Sequence, residues 1–185
     1  MSAERLEIRE VTAATWTDFE RLFESRGAPK YCWCMAWRAT AAEQKNAKGA
    51  DRKRQIEKRV RAGTPVGILG YKGSEPVAWC SIAPKSTFRG LTKSQPADDR
   101  VWSVTCFFVL RAHRGTGIAE AMLAAAVKHA KRNGAKVVEG YPVDPDSPTY
   151  RHMGFVSMFE QAGFVETGRE GIRRRVMQLR LRGAR

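Results

Sequence analysis

The sequence predicts an α/β domain, and three observations predict it. Apolar residues recur at helical spacing in some segments and alternate or run on in others, in the order strand, two helices, three strands, helix, strand, helix, two strands. At 185 residues the chain is long enough for a single domain with a sizeable core, spanning 1–185, and short for two. One strand also passes through a glycine-rich turn, Arg114-Gly115-Thr116-Gly117-Ile118-Ala119, directly into a helix, which is the arrangement of an anion cradle.

Leu6 to Val11 alternates as a half-buried strand, and Thr15 or Thr17 can cap a helix that carries Trp16, Phe19, Leu22 and Phe23 on one side. Gly27 and Pro29 end that helix. Tyr31 to Arg38 then gathers Tyr31, Cys32, Trp33, Cys34, Met35 and Trp37 in one short stretch. A helix is expected from Ala41 to about Arg61, with Ile56 and Val60 as its apolar stripe. Pro65 to Tyr71 and Pro76 to Ile82 read as strands joined by the turn Lys72-Gly73-Ser74-Glu75. Pro84 to Asp99 is polar, contains Gly90 and Pro96, and reads as a loop. Val101 to Leu110 is a strand; after the cradle, Ile118, Met122, Leu123, Ala126 and Ala130 repeat at helical spacing until Asn133-Gly134. Lys136 to Tyr141 is a strand, Pro142, Pro145 and Pro148 mark an irregular connection, and a helix is expected near Gly154 to Ala162. Phe164 to Thr167 and Arg174 to Leu181 close the chain as strands.

The cradle has a direct physical reading. The first N–H groups of a helix lack intrahelical partners, and the helix dipole adds partial positive charge at the same end. Gly115 and Gly117 allow close backbone approach, and Arg114 brings a planar set of charged donors. A nucleoside-triphosphate loop would need Lys then Ser or Thr where Ile118 and Ala119 stand. A dinucleotide fingerprint would need a small residue where Glu120 stands, although Glu139 lies about 20 residues on, where a ribose-binding acid is expected.

The formal net charge is +14, which favours polyanionic ligands or partners. Two clusters hold much of it. One contains Lys48, Arg52, Lys53, Arg54, Lys58 and Arg59; the other contains Arg173, Arg174, Arg175, Arg180, Arg182 and Arg185. A solvated helix face and a strand edge account for them first, and nucleic acid or ribosome contact second, with no interleaved aromatic to stack on bases. The four cysteines, Cys32, Cys34, Cys80 and Cys106, read as reduced thiols, because a single Cys-x-Cys pair is poor zinc spacing and no metal is expected. A covalent acyl carrier at Cys106 is a further reading without a neighbouring base in sequence. No run reaches the roughly 18 apolar residues of a membrane span, and the first residues lack the apolar core of a signal peptide. A cytoplasmic location is therefore expected.

Val109 to Ala119 resembles the acyl-CoA-binding motif of the GCN5-related N-acetyltransferase (GNAT) superfamily. Arg114, Gly117 and Ala119 fall on its Arg or Gln, two residues, Gly, one residue, Gly or Ala core, and Arg111 stands where proline is usual. Met158-Phe159-Glu160-Gln161-Ala162-Gly163-Phe164 resembles the family's late helix, with Phe159 in place of its usual tyrosine. The resemblance implies a mixed, mostly antiparallel sheet of six or seven strands flanked by about four helices. It implies acetyl-CoA as acyl donor, held by Arg114, Gly115, Thr116, Gly117, Ile118 and Ala119, with backbone groups of Phe107, Phe108 and Val109 along the pantetheine arm.

The implied reaction is direct attack of an amine on the thioester. Glu139 is the candidate base, on the argument that burial within Val137 to Tyr141 raises a carboxyl pKa. With Phe159 lacking a hydroxyl, Tyr150 and Ser157 are the candidate acids, and water the alternative. Tyr31, Trp33 and Trp37 are candidates to line the acceptor pocket, as a platform for an apolar or aromatic body or a cation, with core packing as the competing role. The leading expectation is transfer to a small amine. Alternatives are a protein amine or aminoacyl-tRNA as acceptor, or a catalytically silent acyl-CoA-binding regulator; a homodimer is compatible with either.

Overall fold

The computed structural model describes residues 5–45, 47–91 and 98–181. Pro96 of the expected loop and Arg182 and Arg185 of the basic tail lie outside them. Seven strands form one sheet in the order β1-β2-β3-β4-β5-β7-β6. They are β1 (Glu7–Glu10), β2 (Ile68–Lys72), β3 (Glu75–Pro84), β4 (Val101–Val109), β5 (Val137–Gly140), β6 (Val165–Glu170) and β7 (Arg174–Arg180). Every neighbouring pair is antiparallel except β4 and β5.

Among the described residues five α-helices accompany the sheet: α1 (Trp16–Glu24), α2 (Ala41–Gln44), α3 (Gly49–Arg61), α4 (Ile118–Arg132) and α5 (Val156–Gln161). On one face, Ile118, Met122, Leu123, Ala126 and Ala130 of α4 pack on Ala78, Cys80, Ile82, Val104 and Val138. On the other, Phe19, Leu22 and Phe23 of α1 and Ile56 and Val60 of α3 pack with Trp33 and Met35 on Leu69, Trp79 and Phe108. Each such side chain contributes roughly 1.5–3 kcal/mol of burial, which holds both layers to the sheet.

The single helix expected from Ala41 to Arg61 is two. Thr40 accepts the Glu43 N–H and Glu43 accepts the Thr40 N–H, so α2 starts in a closed capping box. Lys45 leaves helical geometry with ψ 116°, and the Asp51 carboxylate accepts the Lys48 N–H at 2.9 Å to start α3.

The feature that positions the site is where β4 and β5 part. Their parallel register runs from Val101↔Val137 to Val104↔Gly140 and stops there, while β4 continues to Val109. The edge of β4 beyond Val104 is left without a partner on that side. In the β3 register, Ser81 opposes Cys106 and Ile82 opposes Val104, so Thr105 is an extra residue that bends β4 just at the parting.

Candidate active site

Three features converge on this opening. The first is the cradle. Gly115 and Gly117 adopt φ +73° and +78°, a left-handed conformation that strains a residue with a Cβ. Between Arg114 and Ala121, whose N–H groups donate to Arg111 and Gly117 carbonyls, no backbone N–H has a described carbonyl partner. Those donors surround a cavity of about 330 Å³ lined by Val109, Arg114, Gly117, Ile118, Ala119 and residues of α5 including Ser157. The residues present thus fit a pyrophosphate: free N–H groups, a helix N-terminus and no side chain at either glycine.

The second feature is the free edge of β4. The Leu110 N–H donates to the Val77 carbonyl at 2.9 Å. Alternation along an antiparallel ladder then pairs Phe108 with Trp79 and turns the peptide groups of Phe107 and Val109 to the opening. Phe108, with its side chain buried at 7% exposure and its peptide groups facing β3, is not a cleft residue as expected. The Val109 carbonyl accepts Arg114 Nε at 2.9 Å, so Arg114 lies across the junction of strand and cradle and Val109 keeps its N–H for the cleft.

The third feature is a second cavity, of about 310 Å³, lined by Lys85, Leu91, Glu139, Tyr141, Arg169, Glu170, Val176 and Gln178. At its floor the Glu139 carboxylate receives Lys85 Nζ and Gln178 Nε2, each at 2.7 Å, and the Tyr141 hydroxyl. Tyr141 in turn lies 3.2 Å from Ser103 Oγ. Burial is the largest single influence on Glu139 and would raise its pKa; the hydrogen bonds from Lys85, Tyr141 and Gln178 outweigh it and lower the pKa below the usual value of 4.5. The raised carboxyl on which the base role rests is therefore not found. Lys85 and Gln178, distant in sequence, carried no local signal.

The candidate acids lie apart. Ser157 is exposed and faces the cradle, whereas Tyr150 sits on the opposite face of the sheet at a left-handed φ of +61°. Phe159 is fully buried, and a Cβ on Gly140 would stand 2.1 Å from its ring, so glycine at 140 makes room for this packing. Of the acceptor aromatics, Trp33 is 2% exposed and stacks on Phe23, which places it in the core and corrects its expected role. Tyr31 is 71% exposed, and its carbonyl receives Arg52 Nη1 near the start of α3, away from both cavities. Trp37 is half-buried and packs against the cluster of Phe88, Leu91 and Tyr141. A cation already covers its ring, the Arg174 guanidinium at 4.5 Å.

A groove of about 730 Å³ between β1 and α4 shares no lining residue with either cavity. Half of the basic cluster of α3 is ion-paired: Lys53 with Glu20 and Glu24, Arg54 with Asp51, and Arg59 with Glu43. All four thiols are free, and Cys34 accepts Trp79 Nε1 at 3.1 Å beside the fully buried Arg38. Among the described residues no cluster of His, Cys, Asp or Glu is placed to hold a metal ion, and no helix is long and apolar enough to cross a membrane.

The glycine cradle, the parted strands and the free β4 edge together define an acyltransferase fold. The model of the acetyltransferase (GNAT) family matches residues 30–155, and the chain belongs to that family. No curated protein matches the sequence. Among solved structures, an uncharacterized protein, bh2621, from Bacillus halodurans is similar with a TM-score of 0.63 and 12% identity, covering 95% of this chain and 83% of the other. The yncA protein of Salmonella typhimurium, solved with its cofactor acetyl-CoA, has a TM-score of 0.58 and 15% identity over 97% of this chain and 95% of its own. The ribosomal-protein-alanine N-acetyltransferase of Brucella melitensis has a TM-score of 0.56 and 18% identity over 95% and 99%. At these identities the likeness is one of fold.

Proposed function

We propose that the protein is an acetyl-CoA-dependent N-acetyltransferase acting on the amine of a small molecule within a ternary complex. The observation that carries this reading is the continuity of the anion cradle with the unpaired edge of β4. When bound, the thioester supplies an activated acetyl carbonyl. The N–H groups from Gly115 to Glu120 hold the pyrophosphate, with Arg114 beside them. The peptide groups of Phe107 and Val109 lie along the arm, where an N–H aimed at the carbonyl oxygen stabilises the charge that develops on attack.

The acceptor enters from the face of Glu139 and Trp37, into a cavity whose size suits a small molecule. Glu139 stays ionised and fixes Lys85, Tyr141 and Gln178 as its floor; the amine's proton passes to water. Tyr150, which is 39% exposed and packs against Arg174, is the candidate donor to the departing sulfur. A thiol pKa of about 8.5 makes this help modest, so Tyr150→Phe is expected to lower kcat by less than about tenfold.

Thiol release from acetyl-CoA across an amine library tests the reading. Turnover of at least one small amine supports it. Binding without turnover of any amine would instead indicate a regulator, and acetylation confined to a protein or RNA-borne amine, with steep loss on adding salt, would indicate the macromolecular reading.

A further inference from the structure

The geometry points to Arg174 as a carboxylate anchor of the acceptor pocket, so that the amine acetylated by this protein carries a carboxylate elsewhere in the same molecule. This rests on the proposed acceptor side and names its substrate class. Arg174 opens β7, and the alternation of a strand puts it on the same face as Val176 and Gln178, both of which line the Glu139 cavity. Its guanidinium lies 4.5 Å from the ring centroid of Trp37 and 5.1 Å from that of Tyr150.

Both rings pack against this one guanidinium. One edge nitrogen, Nη1, is shielded from solvent and has no hydrogen-bond partner. The neighbouring Arg175 also has one shielded nitrogen without a partner, Nε, but unlike Arg174 its guanidinium is ion-paired, with Asp144 and Glu166. No described acidic side chain forms an ion pair with Arg174. A buried charged donor left unmade is costly, and Arg174 lies on the face of the sheet that bears the Glu139 cavity, two residues from its lining residue Val176, where a carboxylate that displaces the covering side chain completes it.

The chemistry selects the ligand. A flat fork of donors packed against two rings matches a planar group with two oxygens in the same plane, which is a carboxylate. The same arrangement reverses the charge expected for the acceptor. The faces of Trp37 and Tyr150 already carry a cation, so a cationic body has no ring to occupy there and meets like charge.

The test compares amino acids of increasing chain length with their carboxamides, and with aminoalkyl phosphonates as a tetrahedral control, in the full-length wild type and in Arg174→Gln and Arg174→Lys. Differences in amine basicity cancel when the acid-to-amide ratio of kcat/KM is compared between proteins. The wild type is expected to prefer the acid by at least about tenfold, mainly through KM, and R174Q to lose that preference while its acetyl-CoA affinity, measured by calorimetry, stays within about twofold. R174K, which keeps the charge and loses the flat fork, should fall between. No preference in the wild type, an undiminished preference in R174Q, or phosphonates outrunning carboxylates overturns the assignment while leaving the acetyltransferase reading in place. If R174Q does not fold, an undiminished preference in R174K overturns it equally. If no amine is turned over, that reading fails instead, and saturation-transfer NMR of the same pairs decides the anchor: acids bound by the wild type and lost in the variant support it, equal binding of acid and amide refutes it.

Discussion

At Glu139, burial and hydrogen bonding act in opposite directions and hydrogen bonding prevails. Because the folded pKa is depressed, the stability this carboxylate lends is complete above its usual 4.5 and is lost as pH falls through the lower folded value. Glu139→Gln is expected to cost about 1–3 kcal/mol at neutral pH, since Lys85 loses its partner, and the difference from wild type should shrink in acid. Urea denaturation from pH 7 to 3 measures this; a difference that grows toward low pH would contradict the assignment. A kcat loss beyond about a hundredfold with unchanged stability would return Glu139 to the role of base. The sequence correctly marked this carboxylate as buried and misjudged its pKa. Its partners Lys85 and Gln178 come from β3's end and β7, and no local pattern links them to β5.

At the level of elements, α2 and α3 are joined by a carboxylate. Glu43 caps α2 and forms a two-pronged pair with Arg59 of α3, each contact 2.8 Å, and these bonds and the Thr40 cap, against the opposing effect of burial, lower its pKa to about 2. The Arg59 bond is the largest of these effects. Glu43→Gln is expected to destabilise by about 1–2 kcal/mol above pH 4.5, with the loss fading as pH approaches 2, and thermal melts across that range check it. The same contacts explain why one long helix was expected: Ala, Glu, Lys and Arg favour a helix throughout 41–61, and the break is imposed by caps. β1, the β2–β3 hairpin and α4 were legible because alternation, a glycine turn and helical spacing are local signals. The bend at Thr105 was not, since it exists only in the register against β3.

Across the whole molecule, the two ends of the site differ in how they are encoded. The proposed cradle is one continuous segment, from Arg114 to Ala119, so its glycine turn and helix start were local signals in the sequence. The proposed acceptor side draws on four separate segments, with Trp37 and Tyr150 meeting at Arg174 and Lys85 meeting Glu139, and no local pattern links them. The high net charge follows the same division. Half of the α3 cluster is ion-paired within the fold, and none of its residues lines the cradle cavity, so affinity for small ligands should depend on salt mainly through the cradle. The central claim is that the left-handed glycines of that cradle bind the donor's pyrophosphate. It is tested most directly by the calorimetric dissociation constant for acetyl-CoA in wild type and in the Gly115→Ala, Gly117→Ala double variant. A Cβ at either position meets no other group within 4 Å, so the fold should survive with a strain of about 1–2 kcal/mol per site. One acetyl-CoA per chain in the wild type and at least about tenfold weaker binding in the folded variant is the predicted result; no binding by the wild type, or equal affinity in both, would contradict it.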